Sequence, residues 1–213
     1  MKNWNLKKVQ NKEYKNRRFA MKKFYIISND FRNSVIQLTS NKSYAEIEPY
    51  LDQYSTEKLP NDVTFSVAKG KKWADLLYYH EAASIVFFSK KVINILSTII
   101  DMKDLCYPIK IEAENVPQYY FIYNKVAYKL VNPDYLLNDF GEPPYLYIPQ
   151  EELEKHKLFT HINGICNIVD EDIMQEMKKS KVTNIRFREI YVIDTGEYEE
   201  LIRQHNQQKP FLP

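Results

Sequence analysis

Glycine is scarce in this chain: four in 213 residues, at Gly70, Gly141, Gly164 and Gly196, with no two closer than 23 positions. A G-x-G-x-x-G phosphate turn, a P-loop and a G-x-S-x-G nucleophile elbow each need glycines a few residues apart, so none of them can be written here. Cysteine is scarcer still. Cys106 and Cys166 are too few for a disulfide framework and read as two buried thiols in a reducing compartment. Long apolar runs are also missing. The longest largely apolar stretch, Ala82 to Phe88, falls far short of the roughly 20 residues that span a bilayer. The basic N-terminus has no apolar segment behind it and does not read as a secretory signal. A cytoplasmic protein without membrane contact is the expectation.

What is present points to a compact fold. The chain is 44% hydrophobic and 14% aromatic, too apolar for disorder, and its length lets it bury roughly 70% of its unfolded surface. Lys, Asn, Ile, Tyr and Phe supply 90 of the residues. All five have A/T-rich codons, so the 17 tyrosines are no argument for stacking on nucleic-acid bases. The net charge of +2 hides an asymmetry. Nine basic residues against Glu13 give residues 1–23 a charge of +8, so the other 190 carry −6. The basic arm reads as a poorly ordered leader, with Met21 as an alternative start. A nucleic-acid-binding tail and a packed helix are the competing readings.

From Phe24 the text turns strand-like. Phe24–Ser28 and Val35–Leu38 are rich in β-branched and aromatic residues. Ser43 to Tyr54 reads as a short helix or irregular segment broken at Pro49. Val63–Ala68 reads as a half-buried strand with Val63, Phe65 and Val67 on one face, closed by Gly70. The strongest helix signal covers 89–101: Ser89 stands at the N-cap, and Val92, Ile95, Leu96, Ile99 and Ile100 recur at helical spacing. Pro108 interrupts Leu105–Ile111 and puts that strand at an edge or bulge. Tyr119–Tyr123 and Val126–Val131 flank Asn124-Lys125 as an expected two-residue hairpin. In its second strand Val126, Tyr128 and Leu130 would face the core and Lys125, Ala127 and Lys129 water.

Asn132 to Pro144 reads as a long polar loop, and Pro149 starts a short helix. Ile165–Val169 is a buried-type strand. Asp170 then caps a helix to about Lys179, with Glu171 and Asp172 at its positive end and Lys178, Lys179 and Lys181 near its negative end. Ile185–Ile193 is a further strand and Glu197–Gln204 a terminal helix. Strands and helices alternate irregularly. The expected fold is therefore α+β: one domain over 21–204 with a mostly antiparallel or mixed sheet and a few packed amphipathic helices, between the leader 1–20 and a tail 205–213.

No constellation of side chains nominates a reaction. His156, His161 and Cys166 are spaced by five, which converges on neither a helix nor a strand, so no metal site is expected. His80 and His161 lack a local signature joining them to a nucleophile. The acids of 170–172 and of Glu197, Glu199 and Glu200 read as helix-end charge and a solvated face. No catalytic residue and no cofactor follow from the residues. Arg186 and Arg188 would share one face of a strand about 6.6 Å apart, a spacing suited to a carboxylate or phosphate clamp, with Ile185 and Phe187 pointing into the core.

The order of several segments resembles a family of bacterial immunity proteins. Phe87-Phe88-Ser89 leads into the helix 90–100, followed by Leu105-Cys106-Tyr107-Pro108-Ile109 and the strands 119–123 and 125–131. Ile168-Val169-Asp170-Glu171-Asp172-Ile173, a helix and Ile185-Arg186-Phe187-Arg188 resemble the same family's ending. Met21 to Ile27 is similar to its beginning. The resemblance covers roughly 21–193 and implies a non-enzymatic antidote that neutralises a cognate toxin, encoded beside it, by direct binding. It carries over no contact residue. Aromatic and arginine anchors suit such a role, and Tyr78, Tyr79, Tyr145, Tyr147, Arg186 and Arg188 are the candidates. The −6 body suggests a basic toxin. The alternatives are a nucleic-acid or anion binder acting through residues 1–23 and the two arginines, and an enzyme with His80 or His161 in a pocket.

Overall fold

The computed structural model describes residues 23–30, 32–52, 55–128, 145–147, 155–161, 167–193, 199–200 and 203. The expected leader, tail, long loop and Pro149 helix start lie outside them. Of the expected terminal helix, Glu199, Glu200 and Arg203 are described and are helical. The described residues form twelve strands and three helices. These are β1 (Phe24–Asn29), β2 (Gln37–Ser40), α1 (Tyr44–Leu51), β3 (Phe65–Lys69), β4 (Leu76–Tyr79), β5 (Val86–Ser89), α2 (Lys90–Ser97), β6 (Cys106–Pro108), β7 (Tyr119–Ile122), β8 (Val126–Tyr128), β9 (Tyr145–Tyr147), β10 (Leu158–His161), β11 (Asn167–Asp170), α3 (Glu171–Lys179) and β12 (Ile185–Ile193).

The strands make two mixed sheets, in the orders β8-β10-β11-β1-β12-β9 and β3-β2-β4-β5-β7-β6. The fold is α+β, as the irregular alternation of elements implies. Three pairings are parallel (β8 with β10, β9 with β12, β2 with β4), and the rest are antiparallel. The second sheet curls nearly closed. The Phe65 N–H donates to the Lys110 carbonyl at 2.8 Å, and the Glu112 N–H to the Phe65 carbonyl at 2.7 Å, joining the margin strand β3 to the chain beyond β6. Such closure occupies backbone groups that an open edge would leave to solvent.

Two cores follow from strand alternation. β4 and β5 are buried at every position, so their successive side chains fill opposite sides of one sheet. Leu76, Tyr78, Val86 and Phe88 face the first sheet and the pair α2–α3, together with Tyr25, Ile27, Val169, Val92, Leu96, Ile173 and Met177. Leu77, Tyr79 and Phe87 face the curled interior, where Phe65, Tyr107 and Phe121 join them and α1 contributes Ile47 and Leu51. The helices keep their expected signals. Ser89 Oγ accepts the Val92 N–H at 3.4 Å, and Asp170 Oδ1 accepts the Ile173 N–H at 3.0 Å. α2 ends at Ser97, but Ile99 and Ile100 still pack on the core through a final turn.

Several expectations change. α1 runs through Pro49 and ends at Leu51, since one missing N–H so near a helix end forfeits a single bond. Val67, expected on the core face, is 39% exposed, on the sheet's margin strand and beside a register shift that leaves Ala68 as an extra residue in β3. Asn124-Lys125 does not close a hairpin. Asn124 takes the left-handed conformation (φ 52), but it redirects the chain from β7 in the second sheet to β8 in the first, where β8 pairs with β10. Two of the expected placements fail: Val126 is 38% exposed, and Lys125 is buried between the sheets, its Nζ donating to Asn167 Oδ1 at 2.6 Å, while Ala127 is exposed as expected. Leu130 and Lys129 lie outside the described residues. Tyr145 to Tyr147, expected at the end of a loop, form the edge strand β9.

Gly70 does close β3, with φ +84, and a Cβ placed there would lie 2.2 Å from the Val35 carbonyl oxygen. A left-handed residue pressed on backbone admits no side chain without displacing one of the strands. Gly70→Ala should destabilise the fold by about 3 kcal/mol, read as a lowered urea midpoint. An unchanged midpoint would show that the β3–β4 loop yields freely.

Candidate interaction surface

The two sheets are fastened at one end by Asp75, which immediately precedes β4. Its Oδ1 accepts from Ser89 Oγ at 2.8 Å. Its Oδ2 accepts from the Thr183 N–H at 2.8 Å, from Thr183 Oγ1 at 2.9 Å and from Lys91 Nζ at 3.3 Å. Asn184, left-handed at φ 56, donates through Nδ2 to the Leu76 carbonyl at 2.8 Å. Lys91 Nζ also reaches the Lys181 carbonyl at 3.1 Å. Burial alone would raise the Asp75 pKa. The Thr183 N–H, the Ser89 and Thr183 hydroxyls and Lys91 more than offset it and hold the carboxyl below its usual range. Ser89 thus serves twice, capping α2 and holding Asp75.

This junction fixes the start of β12 and so the positions of its arginines. Ile185 and Phe187 pack toward the inter-sheet core, while Arg186 and Arg188 are exposed on the opposite face, as the strand period requires. Arg186 Nε lies 2.5 Å from Asp30 Oδ1, and Arg32 Nε 2.6 Å from Asp30 Oδ2. Those hydrogen bonds, from Arg32 and then Arg186, lower the Asp30 pKa. Of the two arginines on this strand, Arg186 is thus engaged by an internal carboxylate. The second guanidinium on Asp30 comes from Arg32 of the β1–β2 loop. β12 is interior to its sheet, between β1 and β9.

The β1–β2 loop is itself held from the β3–β4 side. The Lys71 and Lys72 N–H groups donate to the Ser34 carbonyl at 3.0 Å each, and the Ile36 N–H to the Lys72 carbonyl at 3.0 Å. Arg32, Lys71 and Lys72 are exposed where these loops meet. Sequence reasoning passed over Asp75, Thr183 and Arg32. Asp75 and Thr183 are 108 residues apart, and no periodicity announces such a pair. The basic run at 69–72 was the one legible signal.

The aromatic candidates divide. Tyr78 and Tyr79 are 6% and 0% exposed, one in each core, so neither ring is offered to a partner in this conformation. Burial pushes both phenols up in pKa. Tyr145 and Tyr147 lie on β9, in parallel register with Tyr191 and Ile193 of β12. Their side chains lie outside the described residues, as do the His161 side chain and Cys166. His80 is exposed, with Nδ1 2.7 Å from Gln37 Oε1. The half-buried Cys106 directs Sγ at the Met102 carbonyl, 3.7 Å away, and burial raises its pKa away from the thiolate. Among the described residues, no three His, Cys, Asp or Glu side chains group as metal ligands, and no helix is long and apolar enough to cross a membrane. No protein-family model matches the chain, and no curated protein matches it in sequence.

Proposed function

We propose that the protein is a binding module that neutralises a bacterial toxin by direct contact, as the segment order resembling immunity proteins implies. The observation that carries this reading is where those segments lie. Phe87-Phe88-Ser89, the helix after it, and the chain leading into Ile185 to Arg188 are distant in sequence. They meet around Asp75 as one framework beneath exposed arginines. A framework braced across elements distant in sequence suits tight protein recognition, because less conformational freedom is lost on docking. A standard interface takes about 800 Å² from each partner. That is a small part of the chain's 13403 Å² of accessible surface.

The test is protection. The toxin-bearing protein encoded beside this gene is expressed through its C-terminal domain, with and without this chain. The expected result is restored growth and a complex that co-elutes through gel filtration at nanomolar concentration. Growth arrest that persists when this chain is present at equal or greater level would sink the reading.

A further inference from the structure

We infer that the partner docks on the end of the molecule where the β1–β2 loop, the β3–β4 loop and the start of β12 meet, and that it is a protein presenting acidic side chains there. This rests on the toxin-binding reading and adds which surface is used and what charge it meets. Arg32, Lys69, Lys71, Lys72, Lys91 and Arg186 are exposed on these segments and the adjoining start of α2. The loops are tied by the Ser34 and Lys72 backbone bonds, and Gln37 pairs with Lys69 in the ladder. Two carboxylates stand among the six cations. Asp30 is held by Arg32 and Arg186, and Asp75 faces inward to Ser89 and Thr183 with Lys91 beside it. A strong positive excess therefore stands on one end of a body whose overall charge is negative. The −6 total had suggested a basic partner; its local distribution argues for an acidic one at this end.

The kind of cation adds to this. Lys outnumbers Arg 24 to 6 in the chain, as the codon skew favours, yet three of the six arginines are Arg32, Arg186 and Arg188. Arginine forks bind carboxylates bidentately and are enriched at protein interfaces. Trp73, one of only two tryptophans, follows Lys72 directly and is half-buried, its ring 5.8 Å from that of Tyr119. A partly covered tryptophan next to exposed lysines is a typical centre of binding energy. A protein fits better than a nucleic acid. Asp30 stands between Arg32 and Arg186 and would meet a phosphate backbone with like charge, whereas a protein surface can place a cation opposite it. The Trp73 ring is also already tilted onto Tyr119, leaving no open platform for a base.

The test uses full-length protein and the C-terminal toxin domain encoded beside it. Lys71→Glu/Lys72→Glu changes exposed side chains whose backbone bonds persist, and an unchanged melting temperature reports that it folds. Lys58→Glu/Lys103→Glu makes the same charge change on other loops. Binding is measured by interferometry at low and moderate salt, with a single-stranded RNA as a second probe. The expected result is a 10- to 100-fold weaker complex for the 71/72 pair, mostly through slower association, and little change for the 58/103 pair. Added salt should weaken the wild-type complex more than the 71/72 variant. Tight wild-type binding with the 71/72 pair unaffected, or with both pairs equally affected, overturns this inference and leaves the toxin reading standing. A wild type that does not bind the toxin domain overturns both. Tighter binding to the RNA than to the toxin domain overturns the assignment of a protein partner.

Discussion

Asp75→Ala should lower the folding free energy by about 3 kcal/mol and the melting temperature by about 6–12 °C. The carboxylate accepts four hydrogen bonds from three residues, and its side chain is only 13% exposed. Bonds to a charged group contribute about 1.5–3 kcal/mol each when taken singly, and partial water access to the abandoned donors keeps the sum well below four times that. A loss under about 1 kcal/mol would mark the junction as an ordinary surface ion pair, of the kind Lys91 alone would make. The same residue predicts a pH dependence. Its folded pKa lies below the unfolded value, so its contribution is present above the unfolded carboxylate range and fades as pH falls through the folded pKa. Urea midpoints of wild type and Asp75→Asn should therefore differ at neutral pH and converge in acid. A difference that widened in acid would contradict the assignment.

Phe87→Ala should cost about 4 kcal/mol, the larger of the two effects. Phe87 is fully buried in the curled sheet, edge-on to Phe65 at 4.9 Å and tilted to Phe121 at 6.2 Å. Truncation removes apolar burial and two aromatic contacts and leaves a cavity that three neighbouring strands cannot close, because the β3 margin is already tied to Lys110 and Glu112. Phe87→Leu keeps most of the volume and should cost about 1–1.5 kcal/mol. Chemical denaturation reads both. Equal losses for Ala and Leu would show that the core does not depend on filled volume at this site.

Ser89 and Asp170 were legible as caps because an N-cap needs a short polar acceptor one residue before an amphipathic run, and both signals lie within a few residues. The edge placement of Pro108 followed from an equally local rule. Asn124 marks the limit of such rules. Its left-handed φ was foreseen, but a left-handed residue serves a hairpin and a change of sheet alike, and which occurs depends on where β10 waits for β8. Lys125 went to the wrong side for that reason.

The sequence by itself determined the strand character of β1, β7, β11 and β12, the helix caps, the missing phosphate loops and the pairing of Arg186 with Arg188 on one face. All of these depend on residues within one turn or one ladder step of each other. Only the tertiary structure decided that there are two sheets, that the second curls onto itself, and that Asp75 joins Thr183 across 108 residues. It alone brought Arg32 to Arg186 and the 69–72 lysines to Arg32. Charge adds along a chain in any order, but the field a partner meets depends on which charges share an end, and folding sets that.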